Sequence, residues 1–460
     1  MSELALRAAM LYAPIAAAVC AWMLRPPPPR RAAGVWVALA WNGATLLALN
    51  LIALRNGWWT FHATGAILFG VPADVYLGWC VWWSAVPVLV VRRWPMIAVV
   101  AAMVLTDLVA MPRLAPVLVL GDHWLAGEVA AIVFCLVPAL LLARWTEDRR
   151  HLAARATLLV IAFGAIVLGV IPAVILAQTR SDWSALGARP SLVVGLLAQL
   201  VAIPVLLGVS AVQEFAQRGG GTPLPFDPPQ RRVMSGPYAF VANPMQLSLA
   251  LTLLVWGALL DSWWVAAGAV IAFAYGAGLA AWDEGGDMER RYGPAWRAYR
   301  TQVRDWMPRW RPYHAHDAPP ARLYVARSCG QCSAIGAWIA ARAPVGLEII
   351  AAESHPCRDL WRITYDPRDG TGDESGVAAM GRALEHINFG WAYAGMLLRL
   401  PLVRQLIQLI VDASGGGPTR LPRDATCGLD VGAAHHDGAA VAAHELALDP
   451  HHLGRGADVA

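Results

Sequence analysis

The chain has 460 residues, 57% of them hydrophobic and only 15% charged, with a mean hydropathy of +0.48. That balance excludes an ordinary soluble globular protein, in which about a quarter of the residues carry charge. All 36 basic residues are Arg, which excludes Schiff-base chemistry on a lysine. The net charge of +4, with the arginines gathered between apolar runs, argues membrane topology and no nucleic-acid partner.

A bilayer core of ~30 Å is crossed by a helix of ~20 apolar residues. Runs of that kind predict spans near 5–24, 34–54, 72–91, 95–112, 125–143, 156–178, 191–213, 245–260 and 263–282, with Asp261-Ser262 turning the last two. The first run has no basic segment before it, so it is expected to span rather than to be cleaved. Arg25, Arg30, Arg31, Arg92, Arg93, Arg144, Arg149, Arg150, Arg155, Arg218, Arg231 and Arg232 all fall in loops on one side of this nine-span path. Arginine excess marks the cytosolic side. The expectation is an integral protein of a bacterial-type plasma membrane with its N-terminus outside and its C-terminal domain cytosolic. Trp58, Trp59, Trp79, Trp82, Trp83, Trp94 and Trp124 fall near span ends and read as interfacial anchors. Asp74, Asp107 and Glu128 lie within or beside apolar runs, where an ionisable group either faces a cavity or sits at the interface.

Beyond residue 315 the character changes. Segments 321–326, 347–352 and 361–365 read as strands, and Ser328 to Ala341, 375–389 and 391–412 as helices. The expected organisation is a membrane region of about seven helices (1–215), a loop, hairpin and cytosolic helix (216–312), a small α/β domain (320–413) and a flexible tail (414–460). His435, His436, His444, His451 and His452 crowd that tail, where a disordered Ala/Gly/His segment is expected ahead of adventitious metal binding.

The segment 221–310 carries the most specific pattern. Gly221-Thr222-Pro223 opens it, followed by Ser235-Gly236-Pro237-Tyr238 and Ala242-Asn243-Pro244-Met245 before the hairpin. Asp283-Glu284, Tyr292-Gly293, Trp296 and Tyr299-Arg300 follow it. Pro237 and Pro244 interrupt the helical ladder and free backbone groups, which membrane depth tolerates only in a protein-lined cavity. This order resembles the isoprenylcysteine carboxyl methyltransferase and phospholipid methyltransferase group. Two of that group's motif residues are replaced here, its Arg by Ala242 and its Tyr by Gln246. The resemblance implies S-adenosylmethionine as methyl donor and a lipid or prenylated small-molecule acceptor. It implies that the segments flanking the hairpin fold together over the donor. Asn243 and Glu284, with Pro244 and Met245, would contact the donor, and Tyr238, Tyr292 and Tyr299 would line or close the site.

Cys329-Gly330-Gln331-Cys332 lies between a predicted strand and a predicted helix. Two thiols at that spacing on a helix N-terminus suit a reversible disulfide, with the first thiolate favoured. A zinc site would need two more ligands, such as His355 and Cys357, and an inert pair is the third reading. The region 321–415, with Asp369-Gly370 and Leu400-Pro401, is similar to a thiol-disulfide oxidoreductase family named for its Asp-Cys-Cys pattern. That Asp is absent here, Ala326-Arg327-Ser328 standing before the cysteine. The resemblance implies a thioredoxin-like domain, Cys329 and Cys332 as redox residues, and a thiol/disulfide partner. The combined expectation is an α-helical polytopic membrane protein of about nine spans with a small cytosolic α/β thioredoxin-like domain. Its expected activity is methyl transfer fused to a redox module. A membrane-anchored oxidoreductase with a degenerate, lipid-binding methyltransferase-like region is the alternative.

Overall fold

The computed structural model describes residues 2–91, 94–222, 229–356 and 358–420, with the backbone alone for 275 and 279–287. Among the described residues seven helices are long and apolar enough to cross a membrane: α1 (Glu3–Leu24), α2 (Pro29–Asn56), α3 (Ala73–Val90), α4 (Met96–Arg113), α5 (Trp124–Asp148), α6 (Leu152–Gln178) and α7 (Ser191–Gly219). Such helices suit a membrane interior, because each satisfies its backbone groups within its own ladder where hydrocarbon offers no partner. Start and stop signals are local. The Ser2 hydroxyl caps α1 by accepting from Ala5 N at 3.2 Å, and α2 stops at Gly57, whose φ of 64° is left-handed. The last two of the nine predicted spans correspond to shorter apolar helices, α8 (Pro244–Leu259) and α9 (Trp263–Tyr275). Asp261 (φ 54°) turns the chain between them, and Ser262 caps α9.

Two of the seven tryptophans depart from their interfacial expectation. Trp59 and Trp83 are fully buried. Strand β1 (Trp59–Phe61) folds back over the bundle. It pairs antiparallel with a strand at Leu118–Leu120, while a hairpin of Ile67–Leu68 with Val71–Pro72 lies between them in sequence. The absence of a side chain at Gly127 admits the Trp59 ring: a Cβ there would lie 2.4 Å from it. Both indoles find buried acceptors, as buried polar groups must. Trp59 donates to Asn50 at 3.0 Å and Trp83 to the Asp107 carboxylate at 2.6 Å. Asp107 and Glu128 are thus interior residues of the bundle, whereas Asp74 pairs with the buried Arg7 at 2.9 Å near the start of α3.

Helix α10 (Ala281–Gln302) leads out of the apolar region to a four-stranded sheet. Numbering the Ile67, Val71 and Leu118 strands β2, β3 and β4, its strands are β5 (Ala321–Val325), β6 (Leu347–Ala351), β7 (Thr364–Asp366) and β8 (Glu374–Ser375). They lie in the order β6-β5-β7-β8, with β5 parallel to β6 and antiparallel to β7. Helices α11 (Gly330–Ala340) and α12 (Val377–Glu385) follow β5 and β8. The core between sheet and helices holds Leu323, Val325, Ile339, Tyr365, Ala379 and Ala383. The strand expected at 361–365 is displaced to 364–366, and β8 falls where a helix start was expected. The single helix expected at 391–412 is two, α13 (Phe389–Arg399) and α14 (Pro401–Val411), bent by 85°. Pro401 disfavours helical backbone at Leu400 and has no N–H to continue the ladder. The histidine-rich part of the tail lies outside the described residues.

Candidate functional site

Two arrangements are candidates for a functional site. The first is built from the segments on either side of the α8–α9 hairpin. Residues Gly236–Ala239 form a 3-10 turn ahead of α8, and Pro244 opens that helix at its first position, where a missing N–H costs nothing. The exposed backbone of the turn is taken up by the segment after α10. Ala242 N donates to Arg304 O at 2.9 Å, Arg309 N to Phe240 O at 2.9 Å and Tyr313 N to Ala239 O at 2.7 Å. The buried Tyr299 hydroxyl donates to Tyr238 O at 2.8 Å, and burial pushes its titration well above the ordinary phenol value. Asn243 Nδ2 donates to Asp305 at 3.0 Å, and Arg300 holds the same carboxylate. Arg232 lies over the Tyr292 ring at 5.9 Å. The structure therefore ties Tyr238, Asn243 and Tyr299 into one cross-bonded unit, with Pro244 and Met245 opening α8 beside Asn243 and Tyr292 facing Arg232. Tyr299 commits its hydroxyl to backbone, so it supports the turn. The Glu284 and Asp283 side chains lie outside the described residues. Along the same two segments Arg232 Nη1, Arg309 Nη1 and Gln246 Oε1 are buried without a hydrogen-bond partner among the described residues. Buried polar atoms in that state are exceptional and call for an explanation.

Behind this unit lies a charge network that the sequence reading did not single out. Glu214, near the end of α7, is completely buried. Its carboxylate accepts from Arg382 at 2.8 Å and Arg399 at 2.9 Å, both buried residues of the C-terminal domain. It also accepts from the Ser235 hydroxyl. Gly236 is left-handed (φ 57°), and a Cβ there would sit 3.1 Å from the Glu214 carboxyl carbon. Glu385 bridges the two arginines at 3.2 and 2.7 Å, and Glu374 binds Arg382 at 2.7 Å. Arg218 joins Glu374 at 3.2 Å and Asp369 at 3.0 Å. One carboxylate thus ties the last long apolar helix, the 235–238 turn and the sheet domain together. A cavity of about 240 Å³ lies beside it, lined by Gln213, Gln217, Arg218, Arg399 and Arg404 among others. The legible signal was charge placement. Arg382 and Glu385 sit on an otherwise apolar helix, and Glu214 closes an apolar run.

The second site is the thiol pair. Cys329 is the N-cap of α11, and its sulfur accepts from Cys332 N at 3.3 Å. Both thiols are free. Hydrogen bonds from the Cys332 thiol and backbone N–H draw the Cys329 thiol below its ordinary value. Burial, with Cys329 beside it, pushes Cys332 up to about 11. Glu353 braces the loop before them, accepting from Ser328 N at 3.0 Å and Arg327 N at 3.2 Å. Burial would raise this carboxyl, but those backbone donors prevail and hold it down to about 2. An apolar groove of about 310 Å³, lined by Ala334, Ile335, Trp338 and Met380, runs along α11 from the thiols.

Comparison with family models, curated proteins and solved structures returned no match. The chemistry is therefore argued from these two arrangements. Among the described residues no group of three His, Cys, Asp or Glu side chains is placed to hold a metal. His355 packs edge-on against Tyr324 at 4.7 Å, and Cys357 lies outside the described residues.

Proposed function

We propose that this chain is a membrane-embedded methyltransferase of the isoprenylcysteine carboxyl methyltransferase type, fused to a thiol-disulfide module. Its donor would be S-adenosylmethionine and its acceptor a lipid-borne or prenylated nucleophile. The observation that carries this reading is the cross-bonded unit of 236–245 with 299–313, in and next to which in sequence Arg309, Gln246 and Arg232 keep buried polar atoms unpartnered among the described residues. Those atoms fit the donor's two polar ends: the guanidinium donors suit its carboxylate, and the Gln246 carbonyl suits an amine. The donor supplies a methyl sulfonium, an electrophile that leaves as a neutral thioether. What the chain must supply is alignment and exclusion of water. Asn243, held by Asp305, fixes the start of α8. The Tyr299–Tyr238 bond keeps the turn rigid, and the apolar α8–α9 hairpin offers a path for a lipid acceptor. A donor contact from Glu284 rests on the family resemblance alone. Incubation with methyl-labelled donor and lipid extract tests the proposal: label should enter the lipid fraction and be lost with Asn243→Ala. Label absent from every fraction while the donor binds would overturn the catalytic reading.

A second reading has its own observation. The strand order β6-β5-β7-β8, with Cys329 capping the helix after the central strand, resembles a thioredoxin-like arrangement. In such a module the Cys329 thiolate attacks a client disulfide, forming a mixed disulfide and releasing one client thiolate. Cys332, once deprotonated, displaces the second, so the client is reduced and the pair is oxidised. On this reading the membrane region is an anchor. A pair that dithiothreitol and oxidised glutathione cannot cycle would exclude it.

A further inference from the structure

Helix α14 seats Gln408 and, at its end, Asp412 against the protein, while Arg404 and Gln405 are exposed. Gln408 Oε1 accepts from Val377 N at 2.9 Å, and Asp412, at the helix end, accepts from Gln408 Nε2 at 2.8 Å and from Arg362 Nη2 at 2.8 Å. Gln408 lies directly against Gly376, where a Cβ would be 2.1 Å from its amide oxygen, so the helix cannot roll without losing this seat. The opposite face is apolar and bare. Leu402 is 80% exposed, Leu406 59%, Leu409 67% and Ile410 51%. These positions recur at helical spacing and form one continuous stripe. A stripe of four large aliphatic side chains is not left in water without cause.

Its position names what covers it. The 85° bend at Pro401 starts α14 immediately after Arg399. Arg399 O accepts from Gln213 Nε2 at 3.2 Å, and its guanidinium reaches Gln217 at 3.2 Å. Gln213 and Gln217 belong to the last two turns of α7, where that long apolar helix becomes polar. The first turn of α14 is thereby fixed at the level where α7 would leave the hydrocarbon. A helix pinned there by Gln408 and Asp412, with its aliphatic stripe outward and Arg404 and Gln405 left exposed, has the form of an interfacial helix. We propose that α14 lies in the headgroup–acyl boundary of the bilayer, with Leu402, Leu406, Leu409 and Ile410 immersed, and that it holds the Cys329–Cys332 domain against the membrane surface. This rests on the reading of α1–α7 as membrane-embedded.

The test uses the full chain in lipid nanodiscs, with an encoded environment-sensitive fluorophore placed singly at Leu406, at Leu200 on the outer face of α7, or at the exposed Glu348 on β6. Brominated lipid is the quencher. Quenching at Leu406 within about twofold of that at Leu200, with Glu348 unquenched, is the expected result for a helix immersed at the interface. If Leu200 is quenched and Leu406 is not, the inference falls and the membrane reading stands. That holds whether the stripe is wet or is covered by a second copy, which a blue-shifted, unquenched emission would reveal. If Leu200 itself is unquenched, the membrane reading falls first.

Discussion

Cys329 and Cys332 are the same side chain given different chemistry by position. Cys329 caps α11 and receives hydrogen bonds, so its thiolate is favoured. Cys332 is more buried and is held protonated up to about 11. Alkylation by iodoacetamide at neutral pH should therefore be fast at Cys329 and survive Cys332→Ser. Cys329→Ser should slow the remaining reaction by about tenfold or more. Mass spectrometry of the labelled peptide checks both, and equal reactivity of the two thiols would contradict the assignment. A second residue sets an acid limit. His386 donates from Nδ1 to Val345 O at 2.7 Å and accepts the Tyr365 hydroxyl at 2.9 Å. Burial lowers it from 6.5 to about 4. The folded domain then binds fewer protons than the unfolded chain as pH falls. This contribution is fully present above 6.5 and is lost as pH drops towards 4. The loss is on the order of 2 kcal/mol after allowing for partial exposure. Pulse proteolysis of the 320–413 region at pH 7 and pH 4.5 should show the fall, and His386→Asn should flatten it.

At the scale of elements, the clamp between 236–245 and 299–313 depends on few bonds, so it breaks in a defined way. Tyr299→Phe keeps the ring but leaves the Tyr238 carbonyl without its donor, which costs about 1–3 kcal/mol. The thermal midpoint should fall, and proteolytic cutting should concentrate in 231–245. An unchanged midpoint would show that the hydroxyl does not hold the turn. The long apolar helices were legible because hydrocarbon demands a continuous run, a constraint strong enough to read from composition alone. Strand β5 and helix α11 were legible because an apolar stretch and a capping cysteine are local signals. The break at Pro401 was marked in the sequence by Leu400-Pro401, but the apolar periodicity on both sides concealed it. Strand β8, two residues long, had no local signal, since its pairing with β7 is a tertiary fact. The interior placement of Trp59 was equally hidden, because it depends on Gly127 of a distant helix making room. In the candidate site, the motif spacing announced which segments would meet. It could not announce Asp305, Arg309 or Glu214, which contribute through the folded path of the chain.

For the whole molecule, Glu214 is the point where three regions become one body. Its two arginine partners come from α12 and α13, and its serine partner from the 235–238 turn. Removing one member of a buried ion network strands the others, at a cost of about 3–5 kcal/mol. Glu214→Gln should therefore loosen the C-terminal domain. Limited proteolysis should release a fragment beginning near 315 far more readily than in the parent chain, with Glu374→Gln milder because that carboxylate is less buried. Equal resistance in parent and Glu214→Gln chains would mean that the domain is held elsewhere. Such coupling would give the methyl-transfer and thiol sites a common frame, with α14 orienting both at the membrane surface. The most direct test of the central claim is calorimetric titration of S-adenosylmethionine into the purified chain, its Asn243→Ala and Arg309→Ala variants, and Cys329→Ser as a control remote from the donor site. The account predicts saturable binding that the first two substitutions weaken by about tenfold, the value of one lost charge-assisted hydrogen bond, and that the control leaves intact. No binding by folded parent protein would contradict it.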